Sequence, residues 1–415
     1  MGGSLNHKTK HTKLIMKKLA LFILSIAFSA STLLAQNQLS QERLERYDNF
    51  LESEISNGKI PGAVVLIYKD GEKAYERAYG LSDIEAKTPM QNDQIFYIQS
   101  MTKPIATVAL MMLYEEGKFF LSDPVENYIP EFKNLRVLKN PEDGKNGETD
   151  PAKQKITIAQ ILSHTAGFSH GLGSTQQEID VRDALYAQPH ASIESRVKAL
   201  ASIPLIGQPG EQWYYSASPD IAARLVEIFS GQPFDQFLKE RLFDPLDMKD
   251  TGYNLNDEQA KRMIALHGYS KEGKLIKMPN QTKTSGNTVF GGTHGLFSTA
   301  QDYSIFARML LNGGEWNGKQ YLSPKTIELM TQNHVEGLSY DPGYGFGLGF
   351  GLMVDLADAD LLGSKGQYFW NGAYCTYFFI DPKENMVSFL MTQNSQYTSY
   401  YGDKMRQMVY QAIIE

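Results

Sequence analysis

An apolar segment that begins directly after Pro104 constrains the fold more than any other feature of this chain. Residues 105–113 are apolar on almost every side of a helix, which is expected for a helix enclosed by the rest of a domain. Gly117 provides a C-terminal stop. Because proline is tolerated only in the first turn of a helix, the helix must begin within a residue or two of Ser100. The sequence therefore predicts a buried helix whose first turn carries Ser100.

Ser100 and Lys103 form an S-x-x-K pattern at this helix start. Residues at positions i and i+3 share one face of a helix. A serine becomes a useful nucleophile when a nearby base takes its proton, and a lysine whose pKa is lowered by burial or by a neighbouring cation is such a base. The same pattern also fits an N-cap serine followed by a solvated lysine, so the pair alone leaves both interpretations open.

The N-terminus has the pattern of a secretory signal peptide. Met16-Lys17-Lys18 precedes an apolar run over residues 19–28, and small residues follow as far as Ala35. The run is shorter than the roughly 20 residues that span a bilayer, so an uncleaved anchor is the weaker interpretation. We predict an upstream extension over residues 1–15, cleavage after Ala35, and a periplasmic or secreted mature protein of residues 36–415.

Composition excludes several classes of function. Removing residues 1–35 removes five lysines and no acidic residue, which leaves 35 basic and 47 acidic residues and a net charge of −12. Such a charge argues against nucleic-acid partners and against anionic membrane surfaces, and we expect no stable membrane insertion after cleavage. The only cysteine, Cys375, excludes an intrachain disulfide. The eight histidines form no metal-binding motif, so neither a metal nor a cofactor is predicted.

Strand patterns lie at both ends of the chain, and the segment between them has mostly helical patterns. An amphipathic helix is predicted over residues 41–57 and a final helix over 399–413. The predicted strands cover residues 63–68, 73–79, 346–352, 373–380 and 386–391, and Asp70-Gly71 is a hairpin turn signal between the first two.

This order predicts an α/β (α+β) fold. One antiparallel sheet would be built from both termini, over about 38–98 and 330–415, and flanked by helices. A mostly helical inserted domain would cover about 100–330. A cleft between the two parts is a natural place for a ligand.

A loop over residues 209–216 contributes a third candidate, Tyr215. A tyrosine there can hydrogen-bond the nucleophile and pass on its proton, although its ordinary pKa of about 10 is too high for a base at neutral pH. A neighbouring Lys103 cation would lower that pKa, and the sequence does not decide which of the two holds the proton. As an isolated residue, Tyr215 is equally compatible with a place in the core.

Four blocks of the sequence stand out together: Ser100-Met101-Thr102-Lys103-Pro104, Ser163-His164-Thr165-Ala166-Gly167, Pro209-Gly210-x-x-Trp213-x-Tyr215-Ser216 and Gly291-Gly292-Thr293-His294-Gly295-Leu296-Phe297-Ser298-Thr299-Ala300-x-Asp302-Tyr303. Their order and separations resemble those of the serine β-lactamase-like superfamily. The most similar branch is the class C-like group, which contains family VIII carboxylesterases, class C β-lactamases and DD-peptidases. The resemblance runs from about Leu44 to the C-terminus. The resemblance implies Ser100 as acyl nucleophile, Lys103 as its base and Tyr215 as proton shuttle.

Two departures favour the esterases within this group. Ala217 stands where lactamases and DD-peptidases usually carry an asparagine, and no K-T-G occurs on a late strand. Trp370-Asn371-Gly372 stands there instead and is similar to the W-x-G of family VIII esterases. Lys283-Thr284-Ser285 is similar to K-T-G only superficially, and we predict that it lies in a loop.

Acyl transfer also needs an oxyanion hole, usually formed by two backbone N–H groups. The Ser100 N–H is one candidate, and the resemblance implies Ala373 N–H, on the strand after Gly372, as the other. The residues predicted to line the substrate pocket are Trp370, Asn371, Gly372 and Tyr374, although Trp370 also fits simple packing. His164 is expected to hold its loop by hydrogen bonds, and Cys375 to be a small buried hydrophobe.

Two rival interpretations remain in the sequence. Residues 167–171 match G-x-S-x-G with Ser169 at its centre, but that nucleophile elbow needs a preceding strand, and a helix is predicted there. The second rival interpretation is a penicillin-binding or sensor protein, whose serine becomes acylated but is not released by turnover.

We predict an exported serine hydrolase that cleaves short-chain esters through an acyl-serine, with a β-lactamase or D-amino-acid peptidase as the alternative. Its partner would be a small-molecule ester or amide, and no oligomeric state is predicted.

Overall fold

The computed structural model describes residues 39–279 and 282–414. The predicted signal peptide and its cleavage site lie outside these residues. The described fold begins at Leu39, which is buried and forms a β-bridge with Ile413 near the other end of the chain. Across the described ranges, no helix is both long and apolar enough to cross a membrane.

One eight-stranded antiparallel sheet organises the molecule. Its spatial order is β4-β5-β6-β7-β8-β1-β2-β3, so strands from the two ends of the chain meet where β8 pairs with β1. The strands are β1 (Gly62–Lys69), β2 (Glu72–Asp83), β3 (Thr88–Pro89), β4 (Tyr344–Phe346), β5 (Gly351–Met353), β6 (Tyr368–Gly372), β7 (Thr376–Asp381) and β8 (Met386–Met391). This confirms the predicted fold class.

Strand β1 is buried at every position because both faces of the sheet are covered. Val65 and Ile67 face one apolar cluster, formed with the first and last helices, and Val64 and Leu66 face the larger core. The alternation follows from the two-residue period of a strand. The turn after β1 is the one that the sequence predicts, with Asp70 at φ 53° and Gly71 at φ 83°.

The described residues contain thirteen α-helices. They are α1 (Gln41–Ser56), α2 (Thr102–Glu115), α3 (Ile158–Leu162), α4 (Gln176–Leu185), α5 (Ile193–Ala201), α6 (Pro219–Ser230), α7 (Phe234–Leu238), α8 (Asp244–Leu246), α9 (Asp257–Lys261), α10 (Ala300–Leu311), α11 (Pro324–Met330), α12 (Leu356–Ala359) and α13 (Tyr400–Tyr410). Helices α1 and α13 cover one face of the sheet and α10 covers the other.

Short two-stranded ribbons lie outside the large sheet. They pair Phe96–Tyr97 with Phe297–Ser298, Arg136–Leu138 with Thr149–Pro151, His267–Tyr269 with Leu275–Lys277, and Glu315–Trp316 with Lys319–Gln320. The first ribbon joins the segment before Ser100 to the middle of the block that runs from Gly291 to Tyr303.

Helix α2 confirms the prediction of a helix enclosed by the domain. Every residue from Thr102 to Leu113 is buried, and α6 packs along it. The helix ends at Glu115, and Gly117 follows with φ 72°, a conformation that glycine adopts without a steric penalty. The central helix therefore presents its first turn, and with it Lys103, to the interior.

Two strand predictions near the C-terminus need correction. The segment over residues 346–352 is two strands, β4 and β5, because the chain turns between them at Gly349 with φ 83°. The predicted strand over 373–380 begins only at Thr376. Ala373 lies in the turn between β6 and β7, where Cys375 adopts φ 65° and donates its N–H to Gly372 O.

Candidate active site

Ser100 lies in a single turn of 3₁₀-helix, Gln99–Met101, that leads directly into α2. Gln99 has φ 47°, a left-handed conformation that is uncommon for a residue with a side chain. Such strain persists where the surrounding structure enforces it, and it is frequent at functional sites. Here it lies directly before the predicted nucleophile.

Lys103 meets Ser100 as the i, i+3 spacing predicts. Lys103 Nζ lies 3.0 Å from Ser100 Oγ and donates a hydrogen bond of 2.9 Å to Thr293 O. Its side chain is only 1% exposed. Burial lowers the pKa of Lys103 well below its usual value; the charge of Asp220 opposes this shift and that of Arg196 adds to it. A neutral amine can accept the Ser100 proton.

Tyr215 completes a three-residue cluster. Its hydroxyl donates a hydrogen bond of 2.7 Å to Ser100 Oγ, and Lys103 Nζ lies 4.6 Å from the centre of its ring. The expectation that the lysine lowers the pKa of Tyr215 is wrong. Burial raises that pKa, which outweighs the opposing effect of the hydrogen bond with Ser100. Burial thus shifts the pKa values of both groups toward their uncharged forms.

His164 holds the tyrosine loop, which agrees with its predicted structural role. The ring Nδ1 accepts a hydrogen bond of 3.2 Å from Ser216 N and lies 2.8 Å from Ser216 Oγ, while Tyr214 N donates to His164 O. On the other side, His170 stacks on Tyr215 with ring centres 4.9 Å apart. These contacts restrict the orientation of the tyrosine ring.

A buried ion pair lies behind Lys103, and the sequence analysis missed it. Arg196 Nε donates to Asp220 Oδ2 at 2.7 Å, and Asp220 Oδ1 accepts from Thr293 N at 2.9 Å. Thr293 O in turn accepts from Lys103 Nζ. The pair thus fixes the peptide that orients the lysine. Asp220 lies only five residues after Tyr215 in the sequence, which was a signal for this carboxylate, but no pattern marks its partner Arg196.

The two candidate oxyanion donors are brought together by a glycine. Ser100 and Ala373 line the same cavities. A Cβ on Gly372 would lie 2.5 Å from Ile98 O and 2.3 Å from Thr376 Oγ1, so only glycine lets the end of β6 lie against the nucleophile segment. The closeness of the two backbones at this point is the geometry that a two-donor oxyanion hole needs.

An aromatic cavity of about 920 Å³ opens on Ser100 and Tyr215. Of the predicted pocket residues, Trp370, Asn371 and Tyr374 line it, whereas Gly372 is buried against Ile98. Aromatic side chains that the sequence analysis did not assign to the pocket form much of the remaining wall: Trp213, Tyr340, Tyr344, Phe369 and Tyr397.

A second cavity, of about 1090 Å³, also opens on Ser100. It shares Ser100, Leu172, Ala373 and Tyr374 with the aromatic cavity. Its described lining residues include three histidines and two cationic residues: His170, His190, His294, Arg196 and Lys283. Ala217 is fully buried, and its carbonyl accepts a hydrogen bond from Thr293 Oγ1.

The rival serine is not placed for catalysis. Ser169 is 1% exposed and donates a hydrogen bond of 2.7 Å to Gln177 Oε1. Helix α3, not a strand, precedes it. Cys375 is fully buried, as predicted. Among the described residues, no group of three or more His, Cys, Asp or Glu side chains is arranged to hold a metal ion.

The comparisons with known proteins define the family. The model of the β-lactamase family matches residues 39–411, so this chain belongs to that family. A lovastatin esterase of Penicillium rubens is 29% identical over 366 residues, which cover 82% of this chain and 90% of the esterase. The esterase EstB of Burkholderia gladioli is 26% identical over 382 residues, which cover 86% of this chain and 91% of EstB.

Solved structures agree on the fold. EstCE1, described as a hydrolase with promiscuous acyltransferase activity, superposes with a TM-score of 0.76 at 24% identity and covers 89% of this chain and 99% of its own. The resemblance to the class C-like branch with family VIII esterases is thereby confirmed. The protein is a serine hydrolase of β-lactamase fold whose relatives include esterases and acyltransferases.

Proposed function

We propose that this protein is an exported esterase that cleaves carboxylic esters through an acyl-Ser100 intermediate. The observation that carries the proposal is the convergence on Ser100 Oγ of a buried amine at 3.0 Å and a phenol at 2.7 Å. Lys103 acts as base and Tyr215 as proton shuttle. The named esterases among the relatives support an ester rather than an amide as the substrate.

The steps follow from the positions of these groups. Ser100 Oγ attacks the ester carbonyl carbon while its proton passes to Lys103, and the backbone N–H groups of Ser100 and Ala373 receive the oxyanion. The alkoxide leaves with a proton delivered through Tyr215. Water then attacks the acyl-serine, gives its proton to the same pair, and releases the carboxylic acid and free Ser100.

The choice of an ester over a β-lactam rests on residues around this cluster. Ala217 is buried and offers no side-chain amide to a substrate, while Trp370 contributes an aromatic surface with its ring centre 5.7 Å from that of Tyr215. The cavity beside them is walled mainly by aromatic residues. These features favour an ester with an apolar portion.

Export is the second part of the proposal. The support is the signal pattern over residues 16–35 together with the anchoring of Ser40, whose N–H donates to Ala412 O at 2.8 Å. The packed fold therefore starts within a few residues of the predicted cleavage site. Expression of the full chain in a Gram-negative host should yield a periplasmic product whose measured mass corresponds to a start at Gln36. A full-length cytoplasmic product would contradict export.

The catalytic proposal is tested by assaying p-nitrophenyl butyrate, nitrocefin and a D-Ala-D-Ala peptide in parallel. We expect turnover of the ester to exceed that of the other two substrates, and Ser100→Ala to abolish it. Ser169→Ala is the matched control, since it removes a serine hydroxyl from the same domain but should retain activity. A burst of p-nitrophenol without turnover would show a sensor, and preference for nitrocefin or the peptide would show a lactamase or peptidase.

A further inference from the structure

The charge on the wall of the second cavity differs from that of the chain as a whole. The protein has a formal net charge of −7, yet no aspartate or glutamate occurs among the described lining residues of this cavity. The aromatic cavity, in contrast, has Asp341, Asp360 and Asp403 on its wall. The two cavities at Ser100 therefore differ in the acidic residues on their walls.

Lys283 is the cation on this wall that has no acidic partner among the described ion pairs. Arg196, the other cation there, is already neutralised by Asp220. Lys283 is exposed, and its ammonium group donates to Gly286 O. A flexible lysine side chain on the wall of a cavity without acidic residues can exchange such a backbone hydrogen bond for a negative group of a ligand.

The loop that carries Lys283 is fastened to the fold. Leu255 N donates to Thr284 O at 2.7 Å, and Asn287 Nδ2 donates to Lys283 O at 2.9 Å. Asn287 N also donates to Asn254 Oδ1 at 2.7 Å. These bonds hold the backbone of Lys283 at a defined place on the cavity wall, so the cation is presented by a built element.

The position of Tyr215 indicates which part of an ester enters which cavity. The leaving alkoxide receives its proton through Tyr215, and Tyr215 lines the aromatic cavity but is not among the described residues that line the second one. The alcohol portion therefore lies on the aromatic side. The acyl portion extends from Ser100 past His170 and His294 toward Lys283.

We propose that the second cavity is an acyl subsite and that Lys283 selects acyl chains with an anionic end, so that the preferred substrates are hemiesters of dicarboxylic acids with an apolar or aromatic alcohol. This inference rests on the proposed esterase function and specifies its substrate class. Lys283 acts by pairing with the carboxylate at the far end of the chain and takes no part in the bond changes at Ser100.

The test compares two esters of equal reactivity and nearly equal shape, the 4-methylumbelliferyl hydrogen ester and the 4-methylumbelliferyl methyl ester of adipic acid. We expect kcat/KM to be higher for the anionic hemiester at low ionic strength. Lys283→Gln should lower kcat/KM for the hemiester by roughly three- to fivefold, the range of one exposed ion pair, and leave the methyl ester unchanged. Lys271→Gln is the matched control, because it removes a nearby exposed lysine that does not line either cavity.

The outcomes separate the two proposals. If Ser100-dependent turnover of both esters is seen but the hemiester is not preferred, or if its preference survives Lys283→Gln, the subsite inference is overturned while the esterase function stands. If neither ester is turned over, the proposed function itself fails. Loss of the preference in 0.5 M NaCl, alongside its loss in Lys283→Gln, would support charge pairing.

Discussion

Lys103 Nζ lies 3.0 Å from Ser100 Oγ although the two residues belong to different helical segments, a 3₁₀ turn and an α-helix. The junction at Met101 keeps the helical direction, so the i, i+3 relationship survives the change of helix type. At the same time, α2 carries the amine into a fully buried position. One short segment thus carries both the proposed nucleophile and an amine whose pKa is lowered by the fold.

The lowered pKa of Lys103 predicts an acid limb in the rate profile. The rate constant kcat/KM should fall as the pH drops through the folded-state pKa of Lys103, because the protonated amine cannot accept the Ser100 proton. Lys103→Met should lower kcat by about 10²- to 10⁴-fold. Stopped assays from pH 5 to 9 measure both effects, and an activity that does not change with pH would argue against a lysine base.

The same shift predicts that Lys103 lowers stability. Between its folded-state pKa and its ordinary value, the unfolded chain binds a proton that the folded chain does not, so stability rises with pH across that window. At neutral pH, Lys103→Met removes this cost and should raise Tm by about 1–3 °C while activity is lost. Calorimetry of the variant and of the unmodified protein at pH 6 and pH 9 should show a larger increase in Tm at pH 6. A lower Tm would mean that the bond to Thr293 O outweighs the burial cost.

Tyr215→Phe tests the proton shuttle without disturbing the aromatic packing. The variant keeps the ring against His170 but removes the hydroxyl that donates to Ser100 Oγ. We expect kcat to fall by roughly 10- to 10³-fold, with little change in Tm. The loss should be smaller for esters of p-nitrophenol than for esters of ethanol, because p-nitrophenolate needs no proton to leave. Equal losses on both substrates would indicate that Tyr215 serves only to orient Ser100.

The buried pair Arg196–Asp220 should act on catalysis through Lys103. Asp220→Asn keeps an acceptor for Thr293 N but removes the negative charge that opposes the lowering of the Lys103 pKa. The acid limb of kcat/KM should therefore move to lower pH, and kcat should fall with KM nearly constant.

The double variant Arg196→Met/Asp220→Asn provides the control for charge and stability. Removing one partner of a buried ion pair lowers the free energy of unfolding by about 3–5 kcal/mol, whereas removing both charges lowers it less. The double variant should therefore fold more stably than the single one and return the acid limb toward that of the unmodified protein. An unmoved acid limb in both variants would assign the pair a purely structural role.

Gly372→Ala should separate the oxyanion donors. The new methyl group would meet Ile98 O, so the end of β6 must move away from the nucleophile segment. A displacement of about 1 Å at such a site costs on the order of 10² in rate. Gly252→Ala is the control, since its nearest neighbour would be Asn254 O at 3.8 Å. Comparable activities of the two variants would contradict the assignment of Ala373.

Local patterns in the sequence predicted much of the fold and the centre of the site. The helix after Pro104, the hairpin at Asp70-Gly71 and the spacing of Ser100 and Lys103 depend on residues close together in the chain. Their conformations follow from periodicity and turn chemistry, which a single sequence displays. The resemblance of four separated blocks added Tyr215, which no local rule would have chosen.

The tertiary structure decided what depends on distant contacts and on burial. The direction of the Tyr215 pKa shift was predicted wrongly because burial of the phenol outweighs the opposing hydrogen bonds with Ser100 and Trp370. Arg196 meets Asp220 and Lys283 reaches the cavity wall through packing that no spacing encodes. The sequence by itself determined that a serine and a lysine share one helical face. Only the enclosing fold decided that the pKa of the lysine is lowered, what orients the amine and which charges lie on the cavity walls, because electrostatic energies depend on three-dimensional distance and on exclusion of water.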